Sequence, residues 1–593
     1  MSTPPVFMAP GGQELVEYWM STCASNNGSR EGLIHGLVIA AAAFALCWPL
    51  FFTGYSLGHS GGINILYADQ FIRALDSGVL IPGWMRDANA GNGSPIYIFY
   101  QPFIFYTAAL IAKVVPDVPL ALNLSAFVAM LASGLVMYSL SRLMMGARAA
   151  LVAAILYMAL PYHLVDMYER GALSEHWAFL WMAATMYFTQ RAFTHRRSAL
   201  AGLAITYALL VPTHLPSTLL FTPFLIAYFV FLYAAERSRS AFILRMAGLT
   251  LGIGLSCVYL MPAMLDQGNI KIAHTFSNYY LYANNFLFLS GQAFDQPFVD
   301  RLGLIAAALL AMQVALIVVT LRTRKTAPDG AALALFMLGC AAAAVLMSTP
   351  ISAPLWRMLP QLQKVQFPWR YLALATLATS LGLGIVAGRV CMIGRGALRA
   401  AAVIIVAASL ALSFYYSADQ YKRYAHMPFL DPSVTPKWTP GMDVPLDRLY
   451  EYAELFAPAY KYMAMPIELT PRWAKDVDGT TLMPSFAGEA RFAAGRGTVS
   501  TKLWEPELRV LSIHAEGEAR LLVKTFYYPN WHAYSGGVEL PLAPDERTGL
   551  ISIELPAGNH TLTIAFERSF NQKLGIALTL LSALSLAIAC ARL

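Results

Sequence analysis

The chain has 593 residues, of which 57% are hydrophobic and only 13% are charged. A soluble domain carries about 25% charged residues, so this composition excludes a soluble protein of this length. Apolar runs recur along the chain, and many approach the roughly 20 residues that a helix needs to cross a membrane. The sequence therefore predicts an integral membrane protein with many spans.

The net charge is +7 at pH 7, with 41 Lys and Arg residues against 34 Asp and Glu residues. In a membrane protein, such an excess reflects the accumulation of Lys and Arg in cytoplasmic loops, so nucleic acid is not a predicted partner. The six cysteines are scattered, without a CxxC pair or a cluster with histidine. Neither a disulfide framework nor a structural zinc site is predicted.

A polar segment, 1–33, opens the chain and is predicted to be cytoplasmic. It does not resemble a signal peptide, because the apolar stretch that follows starts late and is too long for a signal core. Twelve membrane spans are predicted after it. They lie near 34–53, 120–141, 149–165, 174–190, 199–213, 216–234, 246–263, 303–321, 331–347, 371–388, 400–415 and 573–590.

A further apolar stretch, 96–113, could be counted as a thirteenth span, and the loop charges decide against it. If it does not cross, the loops 142–148, 191–198, 235–245, 322–330 and 389–399 lie on the side of the N-terminus and hold fourteen Lys and Arg residues, whereas the opposing loops 166–173, 264–302 and 348–370 hold six. If it does cross, the excess lies outside, contrary to the positive-inside rule. We therefore expect 96–113 to lie on or dip into the outer leaflet, with both chain termini in the cytoplasm.

The region before the last span has a different pattern. Alternating stretches at 509–514, 519–524, 549–554 and 560–566 are separated by turn signals, which is typical of a small antiparallel β-sandwich. The predicted fold is thus an all-α bundle of about twelve transmembrane helices with an exposed β-rich domain. The predicted domains are 1–33, the transmembrane module 34–415 with a long outer loop at 54–119, the β-rich domain 416–572 and the final helix 573–593.

Two aspartates of the long outer loop are the candidate catalytic residues. Asp69 and Asp87 are placed where water meets the membrane, so either could act as a general base on an acceptor hydroxyl. The alternative is that Asp69 pairs with Arg73 one helical turn later and that Asp87 caps a turn. Asn89, in the Gly/Asn/Pro loop after Asp87, and Tyr100 are candidate substrate-binding residues.

The outer loop after the third span concentrates ionisable side chains beside two apolar helices. Such groups are costly to place in lipid and usually line an aqueous cavity. The candidates for binding sugar hydroxyls, a phosphate or a divalent metal (Mg²⁺ or Mn²⁺) are Glu169, Arg170, Glu175 and His176. The alternative is a helix N-cap at Ser174 with a local ion pair between Glu169 and Arg170.

Two further outer turns carry candidate substrate-binding residues. His214 lies in a tight turn between two prolines, where the alternative is an ordinary interfacial histidine. Trp369 and Arg370 lie at the mouth of the tenth span, where an arginine among aromatic residues suits a lipid-linked phosphate. The alternative there is an interfacial anchor. Motifs of ATP-driven pumps and nicotinamide enzymes are absent from the sequence.

These residues resemble a bacterial membrane family called "6-pyruvoyl-tetrahydropterin synthase-related", which is akin to the YfhO-like proteins. The resemblance spans most of the chain. It is carried by Pro82-Gly-Trp84, Asp87-Ala-Asn-Ala-Gly91, Gly93-Ser-Pro95, Tyr100-Gln-Pro102, Glu169-Arg-Gly-Ala172, Glu175, His214, Phe367-Pro-Trp-Arg370, Tyr527-Tyr-Pro-Asn-Trp-His532, Gly537 and Pro556-Ala-Gly558.

The resemblance implies a C-type glycosyltransferase fold in a bacterial inner membrane. Such enzymes take a sugar from a polyprenyl-phosphate donor on the outer face and transfer it to an envelope glycan, lipid or protein, and their first outer loop carries a catalytic acid. The β-rich domain would then be periplasmic. One departure matters: the family pattern has an Asp and a His soon after the first span, and Ser60 and Asn64 stand in that region here.

Three hypotheses follow. In an inverting glycosyltransferase, Asp87 or Asp69 would be the base, Arg170 and Arg370 would hold the departing phosphate, and the other candidates would bind sugar or metal. In a non-catalytic assembly protein, the same cavity would only bind a lipid-linked glycan, as the departure at Ser60 and Asn64 suggests. A transporter is the third hypothesis, although the sequence has no visible inverted repeat.

Overall fold

The computed structural model describes residues 28–52, 58–276, 280–289, 295–325, 328–390, 469–475 and 488–593, with isolated residues between these ranges. Most of the predicted N-terminal segment 1–33 lies outside these residues. The same is true of most of the predicted span 400–415 and of the first part of the predicted β-rich domain.

The described chain is helical up to residue 390. These helices are α1 (Gly28–Phe52), α2 (Gly61–Asp76), α3 (Ala88–Gly91), α4 (Ile96–Phe99), α5 (Phe103–Ala112), α6 (Val118–Arg142), α7 (Ala147–Ala159), α8 (Pro161–Tyr168), α9 (Leu173–Arg191), α10 (Arg196–Thr213), α11 (Leu215–Glu236), α12 (Arg239–Leu255), α13 (Cys257–Leu265), α14 (Gln296–Thr323), α15 (Ala331–Met347), α16 (Ala353–Met358), α17 (Pro360–Gln363) and α18 (Tyr371–Val390). The chain ends in α19 (Phe570–Arg592).

Membrane-spanning helices make up most of this bundle. Seven spans among the described residues are long and apolar enough to cross a membrane, or nine if each of two bent helix pairs is one span. The pairs are α12 with α13, bent by 66°, and α15 with the segment Pro350–Met358, bent by 86°. The predicted number of twelve also counts α9 and α10, which are long but less apolar, and 400–415, which lies mostly outside the described residues.

The stretch 96–113 does not form a span. It contains the four-residue α4 and the ten-residue α5. Ten helical residues are about 15 Å long, half of a hydrocarbon core of about 30 Å. Helix α5 packs beside α6 and α2 instead of crossing, so the segment stays at one end of the bundle, as the loop charges predict.

Nine strands precede the last helix: β1 (Ala490–Ala494), β2 (Gly497–Trp504), β3 (Leu508–Ala515), β4 (Ala519–Phe526), β5 (Trp531–Ser535), β6 (Val538–Leu540), β7 (Ala543–Pro544), β8 (Leu550–Leu555) and β9 (Gly558–Phe566). They form two antiparallel sheets, in the orders β1-β4-β8-β7 and β2-β3-β9-β5-β6. Inward residues of both sheets share one core, for example Leu511 and Ile564 with Val523 and Ile553. The predicted sandwich is confirmed, and we call strands β1–β9 the β-domain.

The β-domain lies at one end of the bundle, here called the β-domain end. The loop after α13 contacts it there, because Ile270 is buried in the same core as the inward residues of both sheets. The last helix packs on α13 so closely that a Cβ on Gly575 would lie 2.4 Å from Cys257 O. Because successive spans alternate in direction, the loops after α1, α8, α10 and α15 open at this same end.

Candidate functional site

Five charged or titratable side chains meet inside the β-domain end in a network that we call the buried cluster: Asp166, Arg170, Glu175, His214 and Arg370. Glu175 is the centre, because its Oε2 accepts from Arg170 Nη1 at 2.7 Å and lies 3.5 Å from Arg370 Nε and 3.9 Å from His214 Nε2. Arg170 also donates to Asp166. Every member is largely buried, and buried charges beside apolar helices mark a functional site more often than a structural one.

Local structure explains the central position of Glu175. It lies in the first turn of α9, where the helix dipole favours a negative charge. The hydroxyl of Tyr162, in the first turn of α8, donates to Glu175 Oε1 at 2.8 Å. Arg170 lies in the turn that joins these two helices, and its Nη1 lies 3.1 Å from the Tyr162 hydroxyl. The helix–turn–helix of α8 and α9 therefore builds half of the cluster by itself.

Aromatic residues hold the other arginine of the cluster. The guanidinium of Arg370 lies 5.0 Å from the ring centre of Phe367, and its Nη1 donates to Val365 O at 2.7 Å. Trp369 stacks on Phe367 at 4.6 Å and meets Phe298 edge-on at 5.9 Å. The predicted arginine among aromatic side chains is present, and it points inward to Glu175.

Four further residues form two ion pairs beside the buried cluster, and we call them the rim: His59, Glu169, Asp295 and Arg301. Arg301 donates to Glu169, and His59 Nε2 lies 3.3 Å from Asp295 Oδ2. The side chains of His59, Asp295 and Arg301 are 28–33% exposed, whereas that of Glu169 is 8% exposed. The predicted local pair between Glu169 and its neighbour Arg170 is therefore wrong, since each pairs with a different helix or turn.

The stretch from Gly58 to Asn64, where the resemblance led us to expect an acid, forms hydrogen bonds with the backbone of the turn after α8. His59 N donates to Glu169 O, and Ser60 N donates to Arg170 O, both at 3.0 Å. Asn64 Nδ2 donates to Gly171 O at 2.7 Å. These bonds hold the turn that carries Glu169 and Arg170, so the residues that replace the expected Asp and His support the site instead of adding a carboxylate to it.

The two candidate bases lie close together in the first loop but differ in their partners. Asp69 is 3% exposed, and its Oδ2 accepts from Arg73 Nε at 2.9 Å, the predicted one-turn pair. Asp69 Oδ1 is buried and has no hydrogen-bond partner among the described residues. Burial raises the pKa of Asp69 despite the Arg73 guanidinium.

Asp87, by contrast, uses both carboxylate oxygens. Its Oδ1 accepts from Arg86 Nε at 2.7 Å, and its Oδ2 accepts from Gln70 Nε2 at 2.5 Å and Arg86 Nη2 at 3.1 Å. Burial alone would raise the pKa of Asp87, but these bonds outweigh it and lower the pKa. Asp87 precedes α3 but makes no side-chain cap bond, so the alternative prediction of a turn cap is wrong.

Three tyrosines separate the two aspartates from the buried cluster. The rings of Tyr67 and Tyr100 meet edge-on at 5.1 Å, and the Tyr97 hydroxyl donates to Tyr67 O at 2.8 Å. Tyr97 is within electrostatic range of Asp69, and Tyr100 is within range of Arg370. Tyr100 thus lies near both groups, and its role in substrate binding stays a prediction.

Two candidates lie apart from the charged groups. His176 is fully buried, with Nε2 2.9 Å from Ala126 O and its ring centre 4.8 Å from that of His163. Asn89 donates from Nδ2 to Gly93 O at 3.0 Å, which closes its own loop. The predicted N-cap at Ser174 is also wrong, because the helix begins after Ala172.

Several residues of the site are not among those predicted from the sequence. Asp166 lies four positions before Arg170, a spacing that predicts a pair on one helix face and could have been used. Arg301 pairs with Glu169 across 132 positions, and the sequence contains no signal for it. The described residues contain no group of three or more His, Cys, Asp or Glu side chains that could hold a metal ion. The binding of a divalent metal at Glu169 or Glu175 stays a prediction.

Residues 97–418, more than half of the chain, match the family model of the "6-pyruvoyl-tetrahydropterin synthase related domain; membrane protein". The chain belongs to this family. The family predicted from the motifs of the first loop and the buried cluster is thereby confirmed. A comparison with curated proteins finds no match.

Solved structures similar to this family member are membrane glycosyltransferases. An Archaeoglobus fulgidus oligosaccharyltransferase is 13% identical, with a TM-score of 0.43 over 75% of this chain and 61% of its own. A mycobacterial arabinofuranosyltransferase, AftD, is 16% identical, with a TM-score of 0.45 over 65% of this chain and 26% of its own. ArnT from Cupriavidus metallidurans, bound to undecaprenyl phosphate, is 13% identical, with a TM-score of 0.30 over 60% and 78%. The chain thus spans about three-fifths and a quarter of the first two proteins.

Proposed function

We propose that this protein is an inverting membrane glycosyltransferase that uses a polyprenyl-phosphate sugar as donor and an envelope glycan, lipid or protein as acceptor. One observation carries the proposal. Trp369 Nε1 and Arg301 Nε are buried N–H groups without a hydrogen-bond partner among the described residues, and the buried Arg370 Nε has only the ion-pair contact with Glu175 Oε2 at 3.5 Å. Buried N–H groups are normally paired, so neighbouring donors without an acceptor are what a bound phosphate would complete.

These three donors lie in one region. Trp369 and Arg370 are consecutive, and the Trp369 ring meets that of Phe298, one helical turn before Arg301 on α14. Within the buried cluster, Arg170 and Arg370 face the carboxylates of Asp166 and Glu175, so their charges are balanced before a ligand binds. In the proposed reaction these guanidinium groups stabilise the phosphate as it leaves the sugar.

Asp69 is the better candidate for the base, and Asp87 is the other. A general base needs a lone pair that does not already accept a hydrogen bond, and it works best with a pKa near the working pH. Asp69 Oδ1 is unpaired among the described residues and its pKa is raised, whereas both oxygens of Asp87 accept hydrogen bonds and its pKa is lowered. Asp69 would take the proton of the acceptor hydroxyl as that oxygen bonds to the anomeric carbon. The carbon–oxygen bond to the phosphate then breaks, and its electron pair leaves on the polyprenyl phosphate.

The proposed location is a bacterial inner membrane, with the β-domain end on the outer side and both termini in the cytoplasm. The distribution of Lys and Arg among the loops supports this orientation, because the loops of the opposite end carry fourteen of them, against six in the outer loops 166–173, 264–302 and 348–370. The donor lipid would reach the rim from the outer leaflet, and the acceptor would approach from the side of the β-domain.

A binding and assembly protein for lipid-linked glycans is the second candidate. It is favoured by the stretch Gly58–Asn64, which supports the Glu169–Gly171 turn where the resemblance led us to expect a catalytic acid. In that case the unpaired donors would hold the same phosphate, and no transfer would follow.

The test is transfer of radiolabelled sugar from polyprenyl-phosphate donors by the purified protein in lipid vesicles. Native protein is compared with Asp69→Asn, Asp87→Asn and the control Asp76→Asn, which changes a more exposed aspartate on the same helix as Asp69. We expect Asp69→Asn to abolish turnover and Asp76→Asn to keep it. Donor binding by the native protein without turnover would contradict the transferase and support the second candidate.

A further inference from the structure

The first loop is inserted into the core of the β-domain. Trp84 is fully buried, and its ring centre lies 5.3 Å from that of Trp531 and 5.4 Å from that of Phe566. At the preceding Gly83, an added Cβ would lie 2.8 Å from the Phe566 ring, which leaves no room for another residue. The contact is therefore packed as tightly as a protein interior, unlike a loose contact between two surfaces.

A carboxylate of the β-domain closes this contact. Glu507 Oε1 accepts from Gly83 N at 2.6 Å and from Trp84 N at 3.1 Å. The backbone of Glu507 is itself fixed, because its carbonyl accepts from Phe566 N at 2.9 Å. Burial raises the pKa of Glu507, although the two N–H groups act in the opposite direction. A buried carboxylate that receives two backbone donors is a strong and directional link.

The link continues to the candidate bases. Arg86 Nη1 donates to Trp504 O in the β-domain at 3.2 Å, while its Nε donates to Asp87 Oδ1 at 2.7 Å. Asp87 in turn accepts from Gln70, the neighbour of Asp69 on α2. A second attachment lies beyond Asp87, where Phe526 N donates to Asn92 O at 2.7 Å. The loop is thus held to the β-domain on both sides of Asp87.

We infer that Glu507 is a positioning residue of the active site, which acts through the N–H groups of Gly83 and Trp84 to place the Arg86–Asp87 pair beside Asp69. The inference rests on the proposed function. It makes the β-domain a part of the catalytic site, because the loop that borders the base is anchored to that domain at Glu507, at Trp504 and at Phe526. Without this anchor the loop loses its alignment, and misplacement by about 1 Å can lower turnover by about a hundredfold.

The experiment compares four variants of the full-length protein in lipid vesicles. Glu507→Ala removes the acceptor, Glu507→Gln keeps a carbonyl acceptor without the charge, and Glu507→Asp keeps the charge but draws the carboxylate back. Glu518→Ala is the control, since Glu518 is an exposed glutamate of the same domain. The measurements are kcat, the dissociation constant of undecaprenyl phosphate, and hydrogen exchange of peptides that cover 83–94.

We expect kcat to fall at least about tenfold in Glu507→Ala, with donor binding unchanged and faster exchange in 83–94. Glu507→Gln should restore most of the turnover, because its carbonyl can accept from both N–H groups. Glu507→Asp should lie between the two, and it serves if Glu507→Ala fails to fold. Glu518→Ala should match the native protein.

If Glu507→Ala or Glu507→Asp turns over at the native rate, the inference is overturned and the proposed function is not. The same holds for a Glu507→Gln variant as inactive as Glu507→Ala, or for a loss of donor binding equal to the loss of kcat. No turnover in the native protein would overturn the proposed function and, with it, this inference.

Discussion

Replacing Trp369 by Phe removes one N–H group from the proposed phosphate site and keeps an aromatic ring there. The side chain is 4% exposed, and its ring stacks on Phe367 at 4.6 Å. Its Nε1 has no hydrogen-bond partner among the described residues. The variant therefore changes the hydrogen-bonding capacity of the site without changing its charge.

Two effects on stability oppose each other. The smaller ring leaves a cavity, which costs about 1–2 kcal/mol. Removal of a buried N–H without an acceptor relieves about 1–3 kcal/mol of desolvation. We therefore expect the free energy of unfolding to change by no more than about 1 kcal/mol. In the complex, the lost hydrogen bond to a charged phosphate is worth about 1.5–3 kcal/mol, so donor binding should weaken about ten- to hundredfold.

The assay is the dissociation constant of undecaprenyl phosphate, measured for the purified protein alongside its thermal unfolding. Trp181→Phe is the matched control. Trp181 Nε1 is also buried and unpaired among the described residues, but its ring lies on α9 against Phe103 at 5.5 Å. Both substitutions remove the same atoms of a tryptophan side chain. A difference in donor binding between the two variants therefore indicates a phosphate at Trp369.

A dissociation constant within about twofold of the native value for a stable Trp369→Phe variant would refute the reasoning. The same conclusion follows if Trp181→Phe weakens donor binding as much as Trp369→Phe does. In either case the unpaired N–H of Trp369 does not face the donor, and the site of the phosphate has to be sought elsewhere.

Three further predictions concern the bases, the buried cluster and the loop. If Asp69 is the base, turnover should fall as the pH decreases, with a midpoint above the ordinary aspartate pKa of about 4, because burial raises the pKa of Asp69. If Asp87 is the base, the midpoint should lie below that value, because the pKa of Asp87 is lowered. A pH–rate profile distinguishes the two. Glu175→Gln should lower the free energy of unfolding by about 3–5 kcal/mol, because two buried guanidinium groups lose their central carboxylate; thermal unfolding that matches the native protein would contradict this. Gly93→Ala should detach the first loop from the β-domain, because Gly93 has φ +80° and an added Cβ would lie 2.2 Å from Trp84 Nε1. Limited proteolysis between residues 77 and 95 should then be faster than in the native protein. A variant as resistant to proteolysis as the native protein would contradict this packing.

The secondary structure could be predicted well because its signals are local. Strand β3 was placed at 509–514 and is Leu508–Ala515, and β9 was placed at 560–566 and is Gly558–Phe566. The Asp69–Arg73 pair was also predictable, since one helical turn brings the two side chains together. Helix α9 was predicted as a span and is a nineteen-residue helix, but Glu175 at its start serves the site and not the membrane.

The partners of the candidate site residues were mostly not predictable. Glu169 pairs with Arg301 on α14, whereas its neighbour Arg170 pairs with Glu175 on α9. His214 and Arg370 reach Glu175 from the starts of two other helices, and their convergence depends on how those helices pack. Residues far apart in sequence carry no local signal of such contacts.

The amino-acid sequence is enough to predict that the chain crosses a membrane many times, that a β-sandwich precedes its last helix, and which loops concentrate charge. These properties follow from apolar length, alternation and composition, all of which are read along the chain. Tertiary packing is what brings the charges of three loops into one buried cluster, leaves Asp69 Oδ1 without a partner among the described residues, and lets Glu507 hold the loop of Asp87. Burial and hydrogen-bond pairing are properties of the packed molecule, because they depend on which distant side chains exclude water from a group.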